Sequence, residues 1–403
     1  MSNINNGQQM TGPGNAEPGR KKPMSMGWGI GLSMGAVWFA THCGGGFATG
    51  NQEVNFYVKF GWYSVFLPII AMILLGWGHR NALVLAKDHK AYNYKAYANV
   101  LYHPYEKQFG IIFEFGNLML IACAVSTAIA GAGSLLQSTM GLNYGIGITS
   151  VGFVTLLLTI FGGGLIIKAL NFKTYFLIPT LGLLAYLGIE AGALQWQNFI
   201  ATKETFGTGF GEAVWLMLIY VGFQSFTAMP MLSAAQNIKT TKECNWFMFF
   251  GTLFNGVFLL LVCLMLLGFA PGSVKQTLPV YYVTTHLGID WLKVLYSLIL
   301  FVALLGSGVA LTFAAVARFE SVIKPEGMFE SLRVRRIFVS FVTIAICTGI
   351  SIFGLTNIVV KGYGSVGYIG LFFVLIPEII VGTIKIRNNA RKRKEMGIDE
   401  EAL

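Results

Sequence analysis

Long apolar runs separated by short polar segments dominate the chain. Ten of them are long enough, or nearly so, to supply the ~20 apolar residues that a helix needs to cross a bilayer core. They cover residues 27–60, 63–80, 111–140, 144–167, 175–193, 212–236, 246–269, 291–318, 337–353 and 363–386. The pattern predicts an all-α integral membrane protein with ten transmembrane helices. Composition agrees. Of 403 residues, 55% are apolar and 11% charged, whereas soluble domains carry about 25% charged residues. A soluble chain of this length needs more charged surface than that. Disorder, a coiled coil and a disulfide scaffold are excluded, and a soluble α/β enzyme is disfavoured.

The net charge of +10 changes meaning once the spans are drawn. With the N-terminus inside, all but five of the 28 Lys and Arg residues fall on cytoplasmic segments. That is the asymmetry that orients membrane helices, so the charge does not point to nucleic acid. The N-terminal stretch is polar and has no apolar h-region, so it reads as a cytoplasmic tail, not a signal peptide. The expected organisation is a disordered tail (1–26), a five-helix repeat (27–193), an extracellular connection (194–210), a second five-helix repeat (211–386) and a cytoplasmic C-terminal tail (387–403). Both termini are expected on the cytoplasmic side of the inner or plasma membrane. The loop 86–110 reads equally as an interfacial helix or a solvated loop. Cys43, Cys123, Cys244, Cys263 and Cys347 are scattered and read as small buried apolar residues. No metal-ligand spacing is found.

Two spans carry interruptions. In the first, His42-Cys43-Gly44-Gly45-Gly46-Phe47-Ala48-Thr49-Gly50 contains three consecutive glycines, each costing a helix about 1 kcal/mol relative to Ala. In the sixth, Tyr220 to Pro230 contains a glycine, three polar side chains and a proline. Proline removes a backbone donor and disfavours helix just before it. The breaks lie about 180 residues apart, in spans of opposite direction, which is the pattern of inverted-repeat transporters. Unwound backbone in a bilayer must face protein or a water-filled cavity. Freed carbonyls suit a cation and half-helix N-termini suit an anion, so a zwitterion such as an amino acid fits. The candidate substrate residues are Gly45, Gly46, Phe47, Thr49, Gly50 and Glu53 on the first span. Phe223, Gln224, Ser225, Phe226 and Thr227 complete them on the sixth. Glu53, just past the break, would bind a cation or a substrate amine, carry a coupling proton, or act as a structural carboxylate. Gly27, Gly31 and Gly35 form a GxxxGxxxG row suited to close helix packing.

At these residues the sequence resembles a known group. A 5+5 arrangement with broken first and sixth helices is similar to the LeuT fold of the amino acid–polyamine–organocation superfamily. More narrowly, GGGFATGNQEVNFY (Gly44–Tyr57) resembles the signature of YkvI-like membrane proteins, treated as amino acid permeases. The resemblance implies alternating access and a small-molecule substrate, an amino acid or related amine. It implies that the third span lines the site, which adds Asn117, Ser126 and Thr127. It also implies a sodium site where Ala303, Gly306 and Ser307 on the eighth span face backbone of His42 and Gly45. Only one hydroxyl is available there, which leaves proton coupling as the alternative. No cofactor beyond a coupling ion and no chemistry on the substrate are implied, and the oligomeric state is left open. Two other readings remain on the same fold: a ligand-sensing receptor, as in germination permease-like proteins, and a channel. Glu114 and Glu378 are further acidic residues within spans, and each needs a structural or functional reason.

Overall fold

The computed structural model describes residues 27–161, 173–320 and 322–397. Its helices are α1 (Trp28–His42), α2 (Gly45–Ala48), α3 (Asn51–Phe56), α4 (Leu67–His89), α5 (Tyr94–Tyr102), α6 (Glu106–Met140), α7 (Tyr144–Phe161) and α8 (Lys173–Ala191). They continue with α9 (Ala193–Ala201), α10 (Phe210–Ser225), α11 (Ala228–Ala234), α12 (Thr241–Leu267), α13 (Pro279–His286), α14 (Asp290–Phe319) and α15 (Leu332–Ser351). The last, α16 (Leu355–Glu395), is a long helix interrupted by π turns at Ile358–Tyr363 and Leu371–Leu375.

Among the described residues, eight helices are long and apolar enough to cross a membrane. The α8–α9 pair, bent by 69°, makes a ninth. The first helix falls short of that length because it is broken after fifteen residues. The architecture is therefore compatible with ten spans. The connection expected over 194–210 holds α9, and the C-terminal tail expected from residue 387 is helical to Glu395. The N-terminal tail and the inner end of the fourth expected span lie outside the described residues. The loop 86–110 contains α5, which starts at Asn93, whose side chain caps the Ala96 amide at 2.9 Å. This helix packs inward, burying Tyr97 and Leu101.

Glycine sets the closest helix approaches. A Cβ at Gly31 would lie 2.4 Å from Trp246 Cβ, and one at Gly35 would lie 2.9 Å from the Gly251 nitrogen. The glycine row of α1 thus seats it on α12, as expected of such a row. Glu114 does not stand alone in its span, since Arg318 of α14 donates to it. The five cysteines are free and buried.

Candidate functional site

The first interruption is a short built structure. Cys43 leaves the helix with ψ 53°, Gly44 is extended, and α2 supplies a single turn before Gly50, at φ +80°, starts α3. A side chain at residue 50 would be strained by that φ, and its Cβ would also lie 2.8 Å from Val280 Cγ2. The carbonyls freed by the break find protein donors. The Tyr296 hydroxyl donates to Ala48 O at 2.6 Å and the Val280 amide to Thr49 O at 3.1 Å. Thr49 Oγ1 donates to Gly46 O at 2.7 Å and accepts from the Asn51 amide at 3.2 Å. This is how broken backbone persists at membrane depth. Asn51 then ties the outer half-helix to two other segments, donating to Thr277 O and to Thr356 Oγ1, both at 2.9 Å.

The sixth-span interruption is milder than its composition suggests. α10 and α11 are separated by Phe226 and Thr227 alone, both with helical φ/ψ. The stretch Phe210–Asn237 remains one span. The tightening comes from three-residue hydrogen bonds, Thr227 N to Gln224 O and Met229 N to Phe226 O. Pro230 lies in the first turn of α11, where its missing amide costs little.

The two interruptions meet through a buried polar cluster. His42 Nδ1 lies 2.7 Å from Asn255 Oδ1 and Nε2 lies 2.7 Å from the Tyr220 hydroxyl. Asn255 Nδ2 donates to Gly251 O at 2.8 Å, so its Oδ1 faces the histidine. His42 therefore carries its proton on Nδ1 and accepts from Tyr220 on Nε2. Gln224 Nε2 reaches the same tyrosine oxygen at 3.4 Å. Aromatic rings surround the cluster. Phe47 stands edge-on to His42 at 5.2 Å and stacks on Phe258 at 5.9 Å. Phe223 packs on Tyr220, Phe56 and Tyr363. Phe226 lies against Phe113 and over Gly116. Replacing Asn255 with Leu removes the acceptor of the buried His42 N–H. A loss of about 1–3 kcal/mol is expected, read as earlier unfolding of the purified protein in detergent.

Glu53 is the outstanding residue of the site. It is 0% exposed, and among the described residues no other residue donates to either carboxylate oxygen. Cys43, Tyr57, Tyr220, Cys263 and Tyr296 lie within electrostatic range, and none of them is a cation. Ser126 and Thr127 are likewise buried, close to Cys347 and to the Tyr363 hydroxyl respectively, and Thr127 lies beside Gly46.

Other expected residues are placed differently. Thr49, Ser225 and Thr227 donate their hydroxyls to carbonyls one turn back, at 2.6–2.7 Å. They stabilise the interruptions themselves. Asn117 is half-buried next to Gly116, and its side chain makes no hydrogen bond among the described residues. The eighth span does meet the first break. The Gly45 amide faces Ser307 Oγ at 3.4 Å, and Ser307 donates to Ala303 O at 2.8 Å. A Cβ on Gly45 would lie 3.2 Å from Ala303 O. Gly306 is buried on the same helix. His42 O accepts from the Gly44 amide at 2.8 Å.

Sequence reasoning missed Asn255 and Tyr296 and passed over Tyr220; it also missed that His79 is buried, though that residue lies outside this cluster. Asn255 had a signal, as a lone amide within the apolar run of α12. His79 had none, because α4 continues to His89 and what looked like a span end is helix interior. At the end of the bundle that holds the Gly141–Asn143 turn, a polar cleft of about 260 Å³ is lined by Ser134, Gln137, Gln276, Thr277 and Tyr281. Asn51 donates to the carbonyl of Thr277, one of its lining residues.

No protein-family model matches the chain. A stretch of 127 residues is 28% identical to the uncharacterized membrane protein YkvI of Bacillus subtilis (strain 168). That match takes in 30% of this chain and about a third (35%) of the relative's length. Solved structures align over nearly the whole chain. MhsT in complex with L-phenylalanine aligns with a TM-score of 0.57 at 14% identity, covering 91% of this chain and 98% of that one. The inward-facing conformation of Mhp1 aligns with a TM-score of 0.52 at 14% identity, covering 92% and 94%. A Na+-coupled sialic acid symporter aligns with a TM-score of 0.50, at 14% identity over 89% and 97%. The fold is that of LeuT-type membrane proteins.

Proposed function

We propose that the chain is a secondary transporter that moves an amino acid or a related small amine by alternating access. The two halves, 27–193 and 211–386, form its inverted repeat, and the substrate binds between Gly45–Gly50 and Phe223–Thr227. The observation that carries this reading is Glu53. A carboxylate buried beside a helix break, with no donor from another described residue and no cation near, is costly unless something neutralises it. A substrate ammonium supplies both the charge and the missing donors. The buried Ser126 and Thr127 hydroxyls offer polar contacts on the facing helix, and Phe47 and Phe223 offer apolar walls. The MhsT structure, with L-phenylalanine bound, supports an amino acid as the cargo class.

Movement is coupled to an ion in this reading. The eighth span brings two oxygens, Ser307 Oγ and Ala303 O, to the first break, while Gly45 presents its amide there, so a coupling cation would bind after the break shifts. The charge asymmetry of the loops supports cytoplasmic termini in this reading.

The test is a thermal-shift screen of L-amino acids and simple amines, with and without sodium. Stabilisation by about 2.7 kcal/mol is expected at a ligand concentration a hundred times Kd. Stabilisation by no amine at all would exclude the cargo class. Binding without flux in proteoliposomes would favour a sensor on the same fold.

A further inference from the structure

Two buried titratable side chains, one on α16 and one in the middle of α4, belong to none of the machinery above. Glu378 of α16 is fully buried. Its Oε2 would lie 2.9 Å from a Cβ at residue 78, so the glycine there makes room for it. Oε1 accepts from the Tyr97 hydroxyl at 2.9 Å, while Oε2 has no hydrogen-bond partner. The next residue on α4, His79, is also fully buried. Thr227 gives its hydroxyl proton to Gln224 O, so Thr227 Oγ1 accepts from His79 Nε2 at 3.0 Å. The His79 proton therefore sits on Nε2, and its Nδ1 lone pair is buried without a partner. The Trp38 ring closes over it edge-on at 5.0 Å.

No cation pairs with either group. The titratable neighbours of Glu378 are Tyr97 and Tyr102, both from the α5 helix. The titratable neighbour of His79 is His42, from α1. Asn81 of α4 donates to the Glu378 backbone oxygen at 3.0 Å and not to its carboxylate. Arg80 points instead to Asn81 and Asn245, both at 2.9 Å. Lys385 is held by the carbonyls of Val100, Leu101 and His103. A carboxyl group and an imidazole, each with one unfilled atom and no countercharge, suit reversible proton binding better than a fixed charge.

We propose that Glu378 and His79 are two separate proton-binding groups, on α16 and on the α4 helix it packs against, and that protons taken up and released there drive transport. Each group takes one proton at its unpartnered atom, forming an O–H or N–H bond, and releases the same proton. No other bond changes. Thr227 joins His79 to the sixth-span interruption, so the state of the substrate site reaches His79 through one hydrogen bond. The α5 helix closes the Glu378 side. Tyr97 covers one carboxylate oxygen, and Lys385 tethers the last turn of α5 to the final span. Movement of α5 away from α16 would open the carboxyl group to water.

The inference rests on the transport reading, and one experiment separates the two. Wild type, Glu378→Gln and His79→Gln are reconstituted in liposomes holding a pH-sensitive dye and given a radiolabelled mixture of L-amino acids. Uptake is measured under an imposed pH gradient, and tracer exchange is measured with none. A gradient is expected to drive wild-type uptake and to acidify the lumen with it. Each variant is expected to lose gradient-driven uptake by about tenfold or more while exchange stays within about twofold of wild type. Wild-type exchange that ignores pH overturns the proton role and leaves the transport reading standing. Absence of wild-type exchange overturns both. Equal loss of exchange and drive in a folded variant overturns the proton role. Tyr97→Phe keeps the ring and removes the cover of Oε1, so it serves if Glu378→Gln does not fold. It is expected to shift the pH midpoint of driven uptake, and an unmoved midpoint counts against that group.

Discussion

Glu53→Gln is expected to remove amine-dependent stabilisation while leaving the fold intact. The substitution is nearly isosteric and adds an amide donor where, among the described residues, no other residue donates to the carboxylate. In the ligand-free protein it also removes a buried, uncompensated charge, so stability is expected to hold or rise. The bound amine loses its counterion in a desolvated setting, where truncating one member of a charged pair costs about 2–5 kcal/mol. Affinity should therefore fall by a hundredfold or more on that scale. Calorimetric titration of wild type and variant with the amines found by the screen checks this. Unchanged affinity in Glu53→Gln would show that the amine binds elsewhere. A fall in the variant's own melting temperature would show that Glu53 holds structure instead.

The second large effect belongs to packing. Gly222 of α10 and Gly370 of α16 lie backbone against backbone. A Cβ at Gly370 would stand 1.9 Å from Gly222 O, and a Cβ at Gly222 would stand 2.2 Å from Gly367 O. No rotamer relieves such a clash, because the obstacles are main-chain atoms. Gly370→Ala must push the last span away from the sixth. The cost should reach or exceed the upper end of about 1–3 kcal/mol found for overpacked cores. Gly364 provides the control. It lies in the same span, its Cβ would meet nothing within 4 Å, and Ala there should be neutral or stabilising by up to about 1 kcal/mol. Thermal unfolding of the two variants in detergent tests the contrast. Equal melting temperatures would mean that the two spans are not in contact.

The span pattern was legible because burial in lipid needs only length and apolarity, and these are written locally. The first break was legible for a similar reason. Consecutive glycines and Gly50, whose φ is positive, announce it without knowledge of any neighbour. The sixth interruption was overread. Pro230 and the polar side chains of Gln224, Ser225 and Thr227 looked like a rupture. The hydroxyls instead bond the carbonyls one turn back, and the proline sits where a helix tolerates it. Chemistry that depends on pairing stayed hidden. Asn255 and Tyr220 matter because a single His42 ring lies between them, across 213 and 178 residues of chain. Glu378 fits because residue 78, on a helix far away in sequence, lacks a side chain. Only the fold brings such partners together.

The two hydrogen bonds of Asn51 have a geometric meaning. One side chain holds the start of the outer half-helix to the strip before α13 and to the first turn of α16. Of these pieces the strip before α13 lines the polar cleft, through Thr277, and Asn51 ties that wall to the half-helix that carries Glu53. Both ties of that amide must part before the strip and α16 can move away from the half-helix, so opening there would be a concerted event set by a residue in the same helical turn as Glu53.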